Sequence, residues 1–393
     1  MSDAYIVSAV RTPVARAFRG AFRNYRPDDL LADALKAALA EVPSLDPARV
    51  EDVIVGCAMP EAEQGMNVAR IGALLAGLPE NVPGVTVNRF CSSGLQTIAM
   101  AADRIRLGEA DVMIAAGTET MTMVPMMGHK VAMNPKVFAD DNVAIAYGMG
   151  ITAEKVATQW KVSREDQDQF AYRSHQKAIA AIDGGEFTEI RPVTVTHRMP
   201  DPRTGQIREV QQVVDTDEGP RRDTNPEALA KLRTVFDARG SVTAATSSQM
   251  SDGAGALILV SERVLKELNL RPLAVFRGFS VAGVPAEIMG IGPIEAIPKV
   301  LKQTGIAKDD LDWIELNEAF AAQALAVMRT VELNPDKVNP LGGAIALGHP
   351  LGATGAILAA KLIHGLQRRQ QRYGMVTMCI GTGMGAAGIF ERV

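Results

Sequence analysis

A chain of 393 residues with 47% hydrophobic and 22% charged side chains is long enough for two or three domains with sizeable cores. Its net charge of -4 and sparse aromatic side chains give no electrostatic or stacking case for nucleic acid. No apolar run is long enough to span a bilayer, and three widely spaced cysteines (Cys57, Cys91, Cys379) make neither a disulfide framework nor a metal-ligand pattern.

In chain order, residues 4–10 read as a strand, so near the first residue that no signal or transit peptide is expected. The final Phe390-Glu391-Arg392-Val393 is not a peroxisomal address, and a cytoplasmic protein is expected. Residues 27–41 predict a helix with Leu30, Leu31, Ala34, Leu35, Ala38 and Leu39 on one face. Residues 50–56 predict a strand and residues 67–78 a second helix. A short β-branched run ends at Asn88, a small-residue turn follows, and a helical pattern begins at Ser92 with Leu95, Ile98, Ala99, Ala102 and Ile105. Residues 111–117 form an apolar strand. The alternation β-α-β-α-β-α-β calls for an α/β protein with a layered sheet and helices on its faces.

The texture changes after Thr122. Residues 123–134 are rich in Met, Pro and Gly without a period. A helical stretch from 151 to about 182 breaks near Lys161-Val162-Ser163, where Ser163-Arg164-Glu165-Asp166 reads as a helix start. Polar, hairpin-like segments run on to Arg239. The excursion, about residues 122–248, reads as an inserted loop domain. Strand signals return at 242–244, 256–260 and 275–278.

The last portion repeats the first at an offset of about 260 residues. Residues 312–317 match the strand at 51–56, and residues 320–331 match the helix at 67. Residues 336–355 match the Cys91 segment, and residues 375–381 match the strand at 111. Two similar lobes follow, residues 1–270 with the insert and residues 271–393.

Equivalent elements of paired lobes tend to meet at an active site. Cys91 lies where a strand feeds a helix, whose unpaired N–H groups favour negative charge, so its thiol is expected to lean toward the nucleophilic thiolate. From the second lobe come His349, in Gly-Gly-Ala-Ile-Ala-Leu-Gly-His-Pro, and Cys379, at a strand end before Gly-x-Gly. Each residue alone also fits a structural role: a buried thiol or a satisfied histidine. Together a Cys and a His supply a nucleophile and its base, and a second Cys supplies a proton donor and acceptor. His129, His175, His197 and His364 lie in polar or helical contexts and are read as structural.

At these residues the chain resembles the thiolase family. The motifs are Val87-Asn88-x-x-Cys91-x-Ser93-Gly94, Asn317-Glu318-Ala319-Phe320, Gly342-Gly343-Ala344-Ile345-Ala346-Leu347-Gly348-His349-Pro350, and Cys379-Ile380-Gly381-x-Gly383-x-Gly385. The resemblance implies duplicated βαβαβαββ lobes in a layered α-β-α-β-α arrangement, with an inserted loop domain that holds coenzyme A. It implies CoA-dependent cleavage of 3-ketoacyl-CoA through a Cys91 acyl-enzyme, with His349 as base. Asn317 would position a water in one oxyanion site, Cys379 would serve as acid and base, and the N–H groups of Cys91 and Gly381 would form a second oxyanion hole. Arg221 and Ser248 match CoA contacts, and Met149 and Phe320 match walls near the acyl or pantetheine end. Coenzyme A enters as a substrate, and no metal or other cofactor is implied.

Tyr147-Gly148-Met149-Gly150 carries Gly where short-chain biosynthetic members have His, and Ser247-Ser248-Gln249-Met250-Ser251-Asp252-Gly253 resembles the degradative, β-oxidation branch. Dedicated acetoacetyl-CoA synthesis is the alternative, and a non-catalytic acyl-CoA-binding subunit a further one. A decarboxylating condensing enzyme would pair its cysteine with two histidines, where Asn317 and Cys379 stand here. The resemblance also implies a homodimer or homotetramer, with a β-oxidation dehydrogenase subunit as a further candidate partner. Residues 112–116 are the strand expected to pair across the two-fold axis.

Overall fold

The computed structural model describes residues 3–139 and 142–393. The first lobe opens with β1 (Ala4–Arg11), a two-residue β2 (Ala15–Arg16), α1 (Pro27–Ala40), β3 (Asp52–Gly56), α2 (Val68–Leu75), β4 (Gly84–Val87), α3 (Ser93–Arg106) and β5 (Val112–Thr120). Helix starts follow local chemistry: Pro27 opens α1, and the Asn67 side chain accepts from the Arg70 N–H at the head of α2. The excursion holds α4 (Met149–Gln159), α5 (Arg164–Asp183), the antiparallel hairpin β6 (Val193–Pro200) and β7 (Ile207–Val214), and α6 (Pro226–Ala230). Ser163 caps α5 as its sequence predicts.

The chain then returns through β8 (Ser251–Ser261) and α7 (Glu262–Glu267). The second lobe follows with β9 (Ala274–Gly283), α8 (Gly292–Thr304), β10 (Leu311–Leu316), α9 (Ala321–Val331), α10 (Ala344–Leu347), α11 (Thr354–Arg369), β11 (Tyr373–Ile380) and β12 (Met384–Arg392).

The strands line up in the order β10-β11-β12-β9-β1-β8-β5-β3-β4, with β2 beside β8. In the first lobe β3 runs parallel to β4 and β5, β5 antiparallel to β8, and β8 antiparallel to β1. The second lobe repeats this pattern: β10 parallel to β11, β11 antiparallel to β12, and β12 antiparallel to β9. The repeat thus extends from local pattern to strand pairing. The excursion occupies the connection from β5 to β8, where the second lobe crosses from β11 to β12 in the tight turn at residues 381–383. The lobes are not two separate sheets, because Tyr5 pairs with Val275 and Ile6 with Ala274.

The sheet folds around a central layer made of α3 and α11, which pack on each other and on strands of both lobes. One apolar cluster runs through this layer, from Ile6, Leu95 and Ile98 to Leu362, Ile363, Met378 and Phe390. Burying each such side chain contributes about 1.5–3 kcal/mol. The outer faces are closed by α1 and α2 on one side and α8 and α9 on the other. Central strands such as β5 are buried along their whole length, which is why they read as unbroken apolar runs. The two central helices approach closely at their N-termini: a Cβ on Gly355 would stand 2.1 Å from the Leu95 nitrogen.

Two expectations fail. Residues 242–244 form no strand, because the Thr243 side chain caps the 3-10 turn Ala244–Thr246 and leaves only an isolated bridge from Thr243 to Thr234. Residues 112–116 cannot pair across a two-fold axis, since β5 lies inside the sheet with β3 and β8 on its two edges.

Candidate active site

Cys91 sits in a 3-10 turn, Phe90–Ser92, between β4 and α3. Phe90 has φ of 44°, a left-handed conformation costly for an aromatic residue. Local bonds hold it there. Asn88 Oδ1 accepts from the Phe90 N–H at 2.8 Å, and Ser93 Oγ accepts from the Arg89 N–H at 2.9 Å and donates to the Phe90 carbonyl at 2.6 Å.

The thiolate expectation for Cys91 is corrected. Burial pushes its pKa up to about 11, against the lowering influence of the N–H groups of Gly381 and of Cys91 itself, and the negative charge of Glu119 raises it further. At neutral pH the Cys91 side chain is therefore a thiol. Those two N–H groups belong to the residues expected to form the second oxyanion hole, and both favour negative charge on the Cys91 sulfur.

His349 follows α10 and Gly348, whose φ of 101° turns the chain sharply. Its backbone N–H points at the Gln249 carbonyl (3.1 Å) and at Ser251 Oγ (3.2 Å). Its Nδ1 lies 2.6 Å from Thr354 Oγ1, and its Nε2 lies 3.4 Å from Asn317 Nδ2. The amide nitrogen can only donate, so Nε2 is the acceptor and Nδ1 carries the proton given to Thr354. Burial lowers the His349 pKa to about 4, which keeps the imidazole neutral and able to accept a proton at pH 7.

Asn317 leaves β10 with its N–H on the Thr377 carbonyl (2.9 Å), and its Oδ1 is buried without a hydrogen-bond partner among the described residues. Cys379, next to last in β11, is buried, and its thiol is held well above the ordinary range by burial first and by Cys91 second. Five sequence-selected residues thus fall into two contacting groups, Cys91 with Gly381 and Cys379, and Asn317 with His349. The Phe90–Ser92 turn also packs on the turn Leu351–Ala353, which begins two residues beyond His349, and on β11.

Met149 and Phe320 join Cys379 in one apolar cluster with Ala153, Val242, Met289 and Ala319. Phe236 stands edge-on to Phe320 at 6.0 Å. Ser248 donates its N–H to the Ala319 carbonyl (2.9 Å), beside Phe320. Arg221 stands apart: its side chain is exposed near Asp223, and its backbone N–H donates to His175 Nδ1 at 3.1 Å. Gln249 Nε2 links the two regions by donating to the carbonyls of Gly219, Ile345 and Ala346.

Sequence reasoning did not single out Thr354, Gln249, Ser251, Phe90 or Glu119. Glu119 could have been found, since a carboxylate that continues the apolar run of residues 112–116 needs donors from elsewhere. The left-handed Phe90 has no sequence signal, because glycine is the residue expected at such a backbone angle.

Comparison with known proteins agrees with this geometry. The family described as "Thiolase, N-terminal domain" matches residues 4–263, and "Thiolase, C-terminal domain" matches residues 270–392. The 3-ketoacyl-CoA thiolase of Bacillus subtilis (strain 168) is 51% identical over 394 residues, covering 100% of both chains. Among solved structures, the Bacillus anthracis acetyl-CoA acetyltransferase superposes with a TM-score of 0.89 at 38% identity, covering 100% of this chain and 99% of that one. Human mitochondrial 3-ketoacyl-CoA thiolase superposes with a TM-score of 0.88, also at 38% identity and with the same coverage.

Proposed function

The chain belongs to the thiolase family, and on that premise we propose that it is a 3-ketoacyl-CoA thiolase, an acetyl-CoA C-acyltransferase of the β-oxidation type. The observation that supports this reading is the packing of the Cys91 turn on both β11, which carries Cys379, and the turn that follows His349, whose ring Asn317 reaches.

As Cys91 Sγ attacks the 3-keto carbon, His349 Nε2 takes its proton, so the half-buried thiol need not ionise beforehand. The C2–C3 bond then breaks, its electron pair passes to an acetyl-CoA enolate, and the Cys379 thiol protonates C2. Protonated His349 and a water held by Asn317 steady the thioester oxygen of that enolate; the unpartnered Asn317 Oδ1 suits this role. The Cys379 thiolate deprotonates incoming CoA, whose sulfur takes the acyl group from Cys91, and His349 returns its proton. The N–H groups of Cys91 and Gly381 hold the oxyanion of the tetrahedral acyl-enzyme states.

Met149 and Phe320 wall the acyl and pantetheine end, Ser248 meets pantetheine, and Arg221 meets the CoA nucleotide. Gly148 favours the degradative branch, since a Cβ there would meet nothing within 4 Å and the wall stays open. Acetoacetyl-CoA synthesis is the same chemistry reversed and stands as the second reading, favoured by the likeness to an acetyl-CoA acetyltransferase.

We divide the chain at residues 270 and 271, with 122–248 as the CoA-binding insert. Three free cysteines suit a reducing cytoplasm. We assign a homo-oligomer built along β4, whose outer edge has no strand partner among the described residues and whose surroundings expose Met66, Leu74, Leu75 and Val85. A monomer in sedimentation at micromolar concentration would remove that assignment.

The test of function is turnover. Wild type should consume acetoacetyl-CoA only when CoA is added. Cys379→Ser should still take an acyl group from an acyl-CoA onto Cys91, while carbon–carbon cleavage falls by about 10²–10⁴-fold. Cleavage by Cys379→Ser at the wild-type rate would defeat the assignment.

A further inference from the structure

Glu119 is a buried carboxylate that no step above uses. It lies in β5, between the segment that follows β3 and the head of α11. Its Oε2 accepts from the N–H groups of Ala58 (2.7 Å) and Gly352 (2.8 Å). Its Oε1 accepts from the Met59 N–H (3.2 Å) and from Gln64 Nε2 (2.7 Å), with Cys57 Sγ at 3.9 Å. Burial raises the pKa of this carboxyl, and these donors oppose the rise.

Both reactive side chains rest on this group. On one side the Ala58 carbonyl accepts from Asn88 Nδ2 at 3.0 Å, and Asn88 Oδ1 in turn holds the N–H of the strained Phe90 next to Cys91. On the other side Gly352 stands three residues after His349 and two before Thr354, the partner of the His349 ring. The fit is tight, because a Cβ on Gly352 would lie 2.6 Å from the Ala58 nitrogen and 2.8 Å from Glu119 Oε2.

We propose that Glu119 is a positioning residue that clamps the support of the Cys91 turn to the head of the helix after His349, and so fixes nucleophile and base relative to each other. This rests on the reading of Cys91 and His349 given above. The carboxylate also faces the nucleophile electrostatically. Around Cys91 stand the Glu119 charge, the Cys379 thiol and the N–H groups of Cys91 and Gly381; around Glu119 stand Cys57, Gln64 and Cys91.

The test compares wild type with Glu119→Gln for thiolysis and for the pH dependence of Cys91 alkylation by iodoacetamide. A glutamine keeps the shape but turns an NH₂ toward two of the four N–H donors. In folded variant, kcat should fall about 10- to 100-fold, the loss expected when catalytic groups shift by about an ångström, with KM for CoA little changed. The alkylation midpoint should move to lower pH, since a negative charge near the thiol is gone. Wild-type kcat or an unmoved alkylation profile overturns the proposal.

If Glu119→Gln does not fold, Gln64→Ala removes one donor and keeps the charge. It should lower kcat about three- to tenfold, by the same misplacement on a smaller scale, and leave the alkylation midpoint in place. Wild-type kcat there overturns the proposal. If the wild-type protein itself cleaves no 3-ketoacyl-CoA, the functional reading fails and the positioning role falls with it, whereas an active wild type with unchanged kcat in the variants overturns the clamp alone.

Discussion

Replacing Thr354 by Val tests how the base is held. The side chain keeps its shape and loses only the hydroxyl that receives His349 Nδ1–H at 2.6 Å. A buried donor without an acceptor costs about 1–3 kcal/mol, and each 1.4 kcal/mol is about a tenfold change in population. The ring is then free to turn, because Asn317 holds Nε2 only at 3.4 Å. The productive imidazole should become about 5- to 150-fold rarer, and kcat for thiolysis should fall by that factor. KM for CoA should hold, since Arg221 and Ser248, the CoA contacts proposed above, share no hydrogen bond with Thr354 among the described residues. Thr354→Ser should recover most of the loss. The assay follows the absorbance of a 3-ketoacyl-CoA under saturating CoA, with thermal unfolding as a check on stability. Wild-type kcat in Thr354→Val would mean that this hydrogen bond does not orient the base, and that the tautomer assigned to His349 is wrong.

Iodoacetamide should alkylate Cys91 ever faster from pH 6 toward pH 11. The sign follows from burial: a pKa raised to about 11 leaves about one thiol in a thousand ionised at pH 8. A rate that levels off near pH 7 would instead show a preformed thiolate. Gly148→His should fill open space at the acyl wall and lower kcat/KM for a medium-chain 3-ketoacyl-CoA about tenfold relative to acetoacetyl-CoA. An equal loss for both chain lengths would remove Gly148 from specificity.

The duplication was legible because helices and strands carry their period in the chain itself, and both copies keep it. Cys91, His349, Asn317 and Cys379 were selected through motifs rather than through any spacing between them, since they come from distant parts of the chain. The charge state of Cys91 was not. A helix start argues for thiolate, but the apolar atoms packed over the sulfur decide otherwise, and packing is a property of the assembled lobes. The single sheet was hidden for a similar reason, as the β1–β9 seam rests on two residue pairs with no signature of their own. Residues 112–116 misled because an apolar run says that a strand is covered without saying by what.

The repeat leaves the two lobes with unequal duties. Ser93 and Thr354 open equivalent helices, and Val112 and Tyr373 open equivalent strands, so one spacing places Gly352 opposite Cys91 and Asn88 opposite His349. In one copy the N–H at the helix head is the one proposed above to meet an anion that comes and goes with each turnover. In the other the corresponding N–H, that of Gly352, is occupied permanently by Glu119. The twin of the workshop has become its foundation. Such siblings should tolerate change in opposite ways: losing the side chain at Cys91 should silence the proposed chemistry and spare the architecture, whereas gaining one at Gly352 drives a carbon into the Ala58 backbone. A duplicated fold can therefore specialise by freezing one copy of its own binding geometry.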